Sequence, residues 1–336
     1  MEWSVDRNLS TSSFNWPKAF LLALSVWVLA NLAVWIMVKQ QVLDPARSSE
    51  NLRQIKIARQ ESGYFIVLGN STATRIDLGI LSREVPAFGG KKGLSLAIRG
   101  GLPRTLRFFL EGSDYRCVEK GGAALFFIAP MDLNRNNQTF RWTIRDLFSW
   151  KDFFKELLLR GRFLEATYFF QRASQPLVKY QAALGNLLTR SIEDNIKENG
   201  KIPVAIDRNK ADAKKIRDSI MAYRERYLVD YEIDGYQTDS VLRILGELKK
   251  RKIRTVIVLP PFSKVLRPLI KSDDLKAYAE TAKFLAGQSG VGFLDYVSAY
   301  DGTEYAYYDG SHLMDASVLS FSRRLATDLK SLNDYY

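Results

Sequence analysis

Ala19 to Val38 (AFLLALSVWVLANLAVWIMV) runs for twenty residues without a charge. At ~1.5 Å rise per residue, a helix of that length spans the ~30 Å hydrocarbon core of a bilayer. The run exceeds the ~7–15 residue apolar core of a cleavable signal peptide, and no clear small-x-small cleavage site follows it. The expectation is an uncleaved transmembrane anchor. Trp16, Trp27 and Trp35 suit interfacial or lipid-facing positions. The chain then divides into a polar tail over 1–18, a span over 19–38, a polar and partly helical stalk over 39–61, and a body beyond.

Orientation is open at this level. Arg7 and Lys18 precede the span, and Lys39, Arg47, Arg53, Lys56 and Arg59 follow it. Counting charges puts the C-terminal side in the cytoplasm. Long domains, however, can translocate regardless of charge.

Lysine and arginine total 49 against 37 acidic residues, a formal net charge of +12. Glu2, Asp6, Arg7 and Lys18 cancel, so the whole excess lies on residues 39–336. A basic surface favours anionic partners such as headgroups or acidic polymers. Nucleic acid is not expected, since no zinc-finger spacing or RNA-binding motif occurs. The dense run Lys249-Lys250-Arg251-Lys252-Ile253-Arg254 ends a predicted helix, where cations complement the dipole. Cys117 is the only cysteine and His312 the only histidine. An internal disulfide, a cysteine metal site and a His-rich metal site are therefore excluded, and no cofactor is expected.

The body alternates short apolar runs with helical patterns, which predicts an α/β fold with a mostly parallel sheet. Tyr64–Leu68 reads as a buried strand ending in Gly69-Asn70-Ser71-Thr72. Ser71 is a candidate nucleophile, or alternatively a helix cap. Lys92–Ile98 is a second strand, ending at Arg99-Gly100-Gly101-Leu102-Pro103 before a helix over Thr105–Glu111. The glycine pair either lines an oxyanion hole or makes a plain tight turn. Ala123–Ala129 is a fully apolar third strand, running into Pro130-Met131-Asp132-Leu133-Asn134.

Residues 140–240 differ in kind. Ile144–Arg172 is aromatic, basic and amphipathic: either a membrane- or polysaccharide-gripping surface, or a helical subdomain packed on the core. Residues 192–215 read as an exposed loop, and Ala211–Val229 and Thr238–Lys250 as helices. The pattern resumes with a strand over Thr255–Leu259 closed by Pro260-Pro261, a helix over Asp274–Gly287, a short strand over Val291–Asp295 and a closing helix over Ala316–Leu332. Between the last two lies Asp309-Gly310-Ser311-His312. Positions i and i+3 of a turn face one side, so Asp309 can orient the His312 imidazole, the side chain whose unperturbed pKa suits proton transfer near neutrality.

In this order, Gly69-Asn70-Ser71, Gly100-Gly101, Asp132/Asn134 and Asp309-x-x-His312 resemble the blocks of the SGNH, or GDSL-like, hydrolase superfamily. The resemblance covers residues 62–135 and 250–330. It implies a three-layer α/β/α domain with 62–140 as its first part, a helical insert over 141–245 and 246–336 as its second part. It also implies Ser71 as nucleophile, His312 as base and Asp309 as orienting carboxylate. The oxyanion donors would be the N–H groups of Ser71 and of Gly100 or Gly101, with Asn134 replacing the usual block-three asparagine, whose place Met131 takes. Asn70 stands where the family has an aspartate. One span, this domain and the insert resemble the anchored members beside alginate O-acetylation and teichoic-acid D-alanylation systems. That implies an extracytoplasmic domain on the cytoplasmic membrane, a membrane-bound O-acyltransferase partner and an anionic or neutral glycopolymer substrate. The reaction would be acyl transfer or ester hydrolysis, which sequence does not separate. A non-catalytic assembly or binding protein and a cytoplasm-facing lipid esterase are the competing readings.

Overall fold

The structure is a computed structural model that describes residues 16–39, 54, 57–58, 60–137, 211, 213–297 and 305–332. The helices expected over Ile144–Arg172, most of the expected loop over 192–215 and most of the expected stalk lie outside the described residues.

Helix α1 (Trp16–Lys39) contains the window Phe20–Met37, of mean hydropathy 2.2, long and apolar enough to cross a membrane by length and composition. Leu21, Leu22, Trp27, Leu29 and Trp35 are exposed on it. Two polar side chains in this window return to the helix's own carbonyls. Ser25 Oγ donates to Leu21 O at 2.8 Å and Asn31 Nδ2 to Trp27 O at 2.9 Å. Such internal pairing is what a polar residue needs where water is scarce.

The body then runs β1 (Gly63–Leu68), α2 (Leu78–Glu84), β2 (Gly93–Ser95), α3 (Pro103–Gly112), β3 (Val118–Phe127) and the single turn α4 (Pro130–Leu133). After the undescribed stretch come α5 (Ala213–Ala222), α6 (Gly235–Lys250), β4 (Arg254–Leu259), α7 (Ser272–Ser289), β5 (Gly292–Asp295) and α8 (Asp315–Ser331). These strands form one parallel sheet in the order β2-β1-β3-β4-β5. The expected α/β class is what the structure has.

Period-two alternation sorts the core. Phe65, Val67, Leu125, Phe127, Val256 and Val258 point to one face, where α2 (Ile80, Leu81) and α8 (Phe321, Leu325, Leu329) cover them. Ile66, Leu68, Ala124, Phe126, Ile257 and Leu259 point to the other. That face is covered by α3 (Leu106, Phe109, Leu110), α6 (Ile244, Leu245, Leu248) and α7 (Tyr278, Ala282, Leu285). With both faces buried, a strand carries no polar alternation and reads as a continuous apolar run.

Three expectations change. Strand β2 is shorter than 92–98, although the Leu96 and Ile98 N–H groups still reach the carbonyls of Val67 (2.8 Å) and Gly69 (2.9 Å). The helix expected over Ala211–Val229 gives way after α5 to one wide π-turn, Tyr223–Tyr227. The insert boundary expected between 245 and 246 falls inside α6, a core helix with Val241, Ile244, Leu245 and Leu248 buried in the sheet's cover.

Candidate functional site

A doubly wound sheet binds ligands outside the carboxyl ends of its strands, where the strand order reverses. Here the reversal lies between β1 and β3, and Leu68 pairs in register with Phe126. The segments leaving both strands therefore open side by side.

Strand β1 leaves the sheet through Gly69, at φ +150°. A Cβ there would stand 2.9 Å from Phe127 Cβ and 3.0 Å from the Phe127 carbonyl oxygen, so only glycine allows the exit. Asn70 is buried, and its carboxamide is fully engaged. Its Nδ2 donates to Asp132 Oδ1 (2.7 Å) and Oδ2 (2.9 Å), and its Oδ1 accepts the Thr72 N–H (2.7 Å) and Thr72 hydroxyl (2.8 Å). That Asx turn carries Ser71 between its two anchors. The Ser71 carbonyl accepts the Thr74 hydroxyl at 2.7 Å. Its own hydroxyl and N–H have no hydrogen-bond partner among the described residues. Ser71 caps no helix: the next one is capped by Asp77, whose Oδ1 accepts Ile80 N–H at 2.9 Å.

At the end of β2, the Gly101 N–H donates to Ile98 O at 2.7 Å and closes a turn over Arg99 and Gly100. Gly100 stands at φ +68°, the third position of a type II turn, which demands glycine. The Gly100 N–H has no partner among the described residues. The alternative expectation, Gly101 as oxyanion donor, is corrected: its N–H is taken by Ile98. Gly101 is instead a close-packing residue, where a Cβ would meet the Ile98 carbonyl at 2.8 Å.

At the end of β3, Asp132 lies in the interior and accepts the Ala129 N–H at 2.8 Å besides the two bonds from Asn70. Burial pushes its carboxyl up to about 7, against the opposing pull of the Ala129 and Asn70 hydrogen bonds. Asn134 corrects a second expectation. Its Nδ2 donates to the carbonyls of Tyr227 (2.9 Å) and Val229 (3.2 Å), and its Oδ1 accepts the N–H groups of Glu232 (3.0 Å) and Asn136 (3.3 Å). Both amide hydrogens are engaged, leaving none for an oxyanion.

The last block forms a compact turn. Asp309 Oδ1 accepts the N–H groups of His312 (2.8 Å) and Ser311 (3.1 Å), and Oδ2 lies 2.8 Å from His312 Nδ1. Ser311 Oγ lies 3.0 Å from the same nitrogen. Burial raises the Asp309 carboxyl, but the bonds and charge of His312 outweigh it, and the group titrates below its ordinary value. An ionised carboxylate only accepts, so Nδ1–H is the donor and Nε2 carries the lone pair. No hydrogen bond joins the Ser71 hydroxyl to His312. Such contacts are often long without substrate and tighten with it.

Arg75 fastens the two halves together. Its guanidinium donates to the carbonyl of Leu313, pairs with Asp315 and lies over the Tyr308 ring at 5.6 Å. Tyr308 in turn stacks on His312, with centroids 5.8 Å apart. Neither Arg75 nor the Asn70–Asp132 pair was expected from the sequence. Arg75 follows Ser71 by one turn's length, a weak signal without knowledge of its partner.

Beyond the site, a cavity of about 730 Å³ opens between α7 and β5, lined by Lys264, Arg267, Lys276 and Lys283 with Glu280 and Asp295, over Leu275 and Phe293. Among the described residues no group of three or more His, Cys, Asp or Glu could hold a metal ion.

No family model matches the chain, and no curated protein matches it. Among solved structures, a catalytic mutant of an acetylxylan esterase from Geobacillus stearothermophilus aligns over 81% of this chain and 96% of its own, at 11% identity and TM-score 0.35.

Proposed function

We propose that this protein is a membrane-anchored serine acyltransferase or esterase of the SGNH type, acting on a cell-envelope glycopolymer from the extracytoplasmic side. Three observations support this reading: the Ser71 hydroxyl is unengaged at the β1 exit, the His312 imidazole is oriented by a carboxylate 2.8 Å away, and Arg75 ties the turn after Ser71 to Leu313 beside His312.

In this mechanism His312 Nε2 takes the proton of Ser71, and Ser71 Oγ attacks an acyl ester or thioester. The N–H groups of Ser71 and Gly100 receive the oxyanion; one such donor is typically worth ~10²–10³ in rate. His312 returns the proton to the leaving group. A sugar hydroxyl or water then releases the acyl group. The cavity's excess of basic over acidic lining residues supports an anionic polymer as acceptor. Helix α1 supports the anchor. The resemblance to anchored envelope proteins supports the outward topology and a membrane-bound O-acyltransferase partner.

A para-nitrophenyl phosphonate ester is the decisive probe. Wild type is expected to label at Ser71, and Ser71→Ala and His312→Ala not. Equal labelling of all three would refute the assignment. A non-catalytic binding protein is the second reading, favoured by the engagement of Asn134 elsewhere. It predicts that Ser71→Ala leaves polymer modification intact while deletion of 145–170 abolishes it.

A further inference from the structure

We infer that positions 70 and 132 act as one unit that needs one carboxylate and one carboxamide, and that this unit positions the Ser71 turn. The geometry fixes the roles atom by atom. Position 70 must accept twice from Thr72, at 2.7 and 2.8 Å. Position 132 must accept from Ala129 at 2.8 Å. Between them stands a contact of 2.7 and 2.9 Å in which one side donates and the other accepts. Asn70 is 1% exposed and Asp132 2%, so water cannot substitute for a missing partner.

The unit has two satisfied arrangements. The observed one has the amide at position 70. In the exchanged one, an aspartate at position 70 takes both Thr72 donors on one oxygen. Its other oxygen takes the amide of an asparagine at position 132, whose carbonyl takes the Ala129 N–H. Every donor and acceptor is again paired. The single replacements are not satisfied. Asn70→Asp sets two carboxylates about 3 Å apart, which must share one proton. Asp132→Asn sets an amide nitrogen against an amide nitrogen. Among the described residues, the ionisable groups facing Asp132 are the phenols of Tyr223 from the π-turn, Tyr231 from the following loop and Tyr278 from α7. Burial pushes all three well above their ordinary value, so they stay neutral and supply no compensating charge.

The positioning role rests on Ser71 being the nucleophile; the pairing rule does not, and the test separates them. The full chain in detergent, as wild type, Asn70→Asp, Asp132→Asn and the double exchange, is melted at pH 5, 7 and 9. Asn70→Asp is expected within about 2 °C of wild type at pH 5 and about 4–10 °C below it at pH 9. Asp132→Asn is expected about 4–10 °C low at pH 5, with the deficit narrowing toward pH 9 as wild-type Asp132 ionises, and the double exchange within about 2 °C of wild type at all three. A double exchange as unstable as its singles combined, or an Asn70→Asp deficit independent of pH, overturns the pairing rule. If Asp132→Asn does not fold, Asn70→Asp and the double exchange still decide it. Phosphonate labelling is then followed in the same proteins. Relative to wild type, Asn70→Asp should lose about tenfold in rate from pH 5 to 9, and the double exchange should recover to within about threefold. Unchanged labelling of Asn70→Asp at pH 9 overturns the positioning role. A wild type that never labels refutes the functional reading and leaves the melting result to judge the pair.

Discussion

Arg75 donates to the main-chain carbonyl of Leu313, 238 positions away in sequence. It is the direct fastening between the turn that carries Ser71 and the turn that carries His312. Its planar fork serves the carbonyl and Asp315 together, and a lysine, with a single point of charge, cannot reproduce both. Arg75→Lys is expected to slow phosphonate labelling about 10–100-fold while lowering stability by only about 1–2 kcal/mol, because misalignment costs more in rate than in folding. Labelling kinetics beside urea melts measure the two effects; a loss confined to stability would refute the alignment role.

Gly69 and Gly100 should fail differently on replacement by alanine. At Gly69 the new Cβ meets Phe127 backbone and side chain at 3.0 Å or less, so the β1 exit must shift. A loss of about 2–4 kcal/mol and of Ser71 labelling together is expected. At Gly100 the cost is about 1–2 kcal/mol from the left-handed backbone. Chemical denaturation of both variants checks the order.

The two carboxylates tilt stability in opposite directions with pH. Asp132 titrates at about 7, above its unfolded value. Its contribution is complete below the unfolded value and is lost as pH rises through about 7. The stability gap between wild type and Asp132→Ala should therefore narrow from pH 4 to 8. Asp309 titrates below its ordinary value. Its contribution is present above the unfolded carboxylate range and is lost as pH falls through the folded value. The gap to Asp309→Ala should thus widen from strong acid up to about pH 5 and then level off. Denaturant titrations across pH 3–8 measure both slopes, and slopes of the same sign would contradict the opposite shifts.

The cavity between α7 and β5 supplies a prediction for the acceptor. Reversing Lys276 and Lys283 to glutamate should weaken retention of an acidic polysaccharide about tenfold or more at low salt. Phosphonate labelling of Ser71 should be unchanged, since neither lysine belongs to the serine site. Polymer-affinity electrophoresis reads the first effect; equal retention would remove the cavity from the acceptor path.

How much of this was legible before the fold depended on distance along the chain. The strands announced themselves because both faces of the sheet are covered, which makes each strand a bare apolar run. The Asp309–His312 contact joins positions i and i+3, within reach of a turn, so spacing alone gave it. Asn70 and Asp132 meet across 62 positions, and only the register of β1 against β3 brings them together. Asn134 misled for the same reason. The resemblance offered it as an oxyanion donor, whereas its partners Tyr227, Val229 and Glu232 lie 93, 95 and 98 positions on. Helix α2 escaped notice because its seven residues, with Gly79 second, are too few to show a period.

Asn134 has a wider consequence. Its bonds to Tyr227 and Val229 span 93 and 95 positions. They are reinforced by Arg135 N–H to Glu232 O at 2.7 Å and Asp234 N–H to Leu133 O at 2.8 Å. The long excursion between β3 and α6 thus leaves and rejoins the body through a zipped neck. The returning arm stays on the body, with Tyr223 and Leu228 buried in its core. Segments of other lengths and chemistries can be grafted there at a loop-closure cost that grows only slowly with length. A change of length beyond the neck therefore leaves these bonds, and the strand ends they fix, in place.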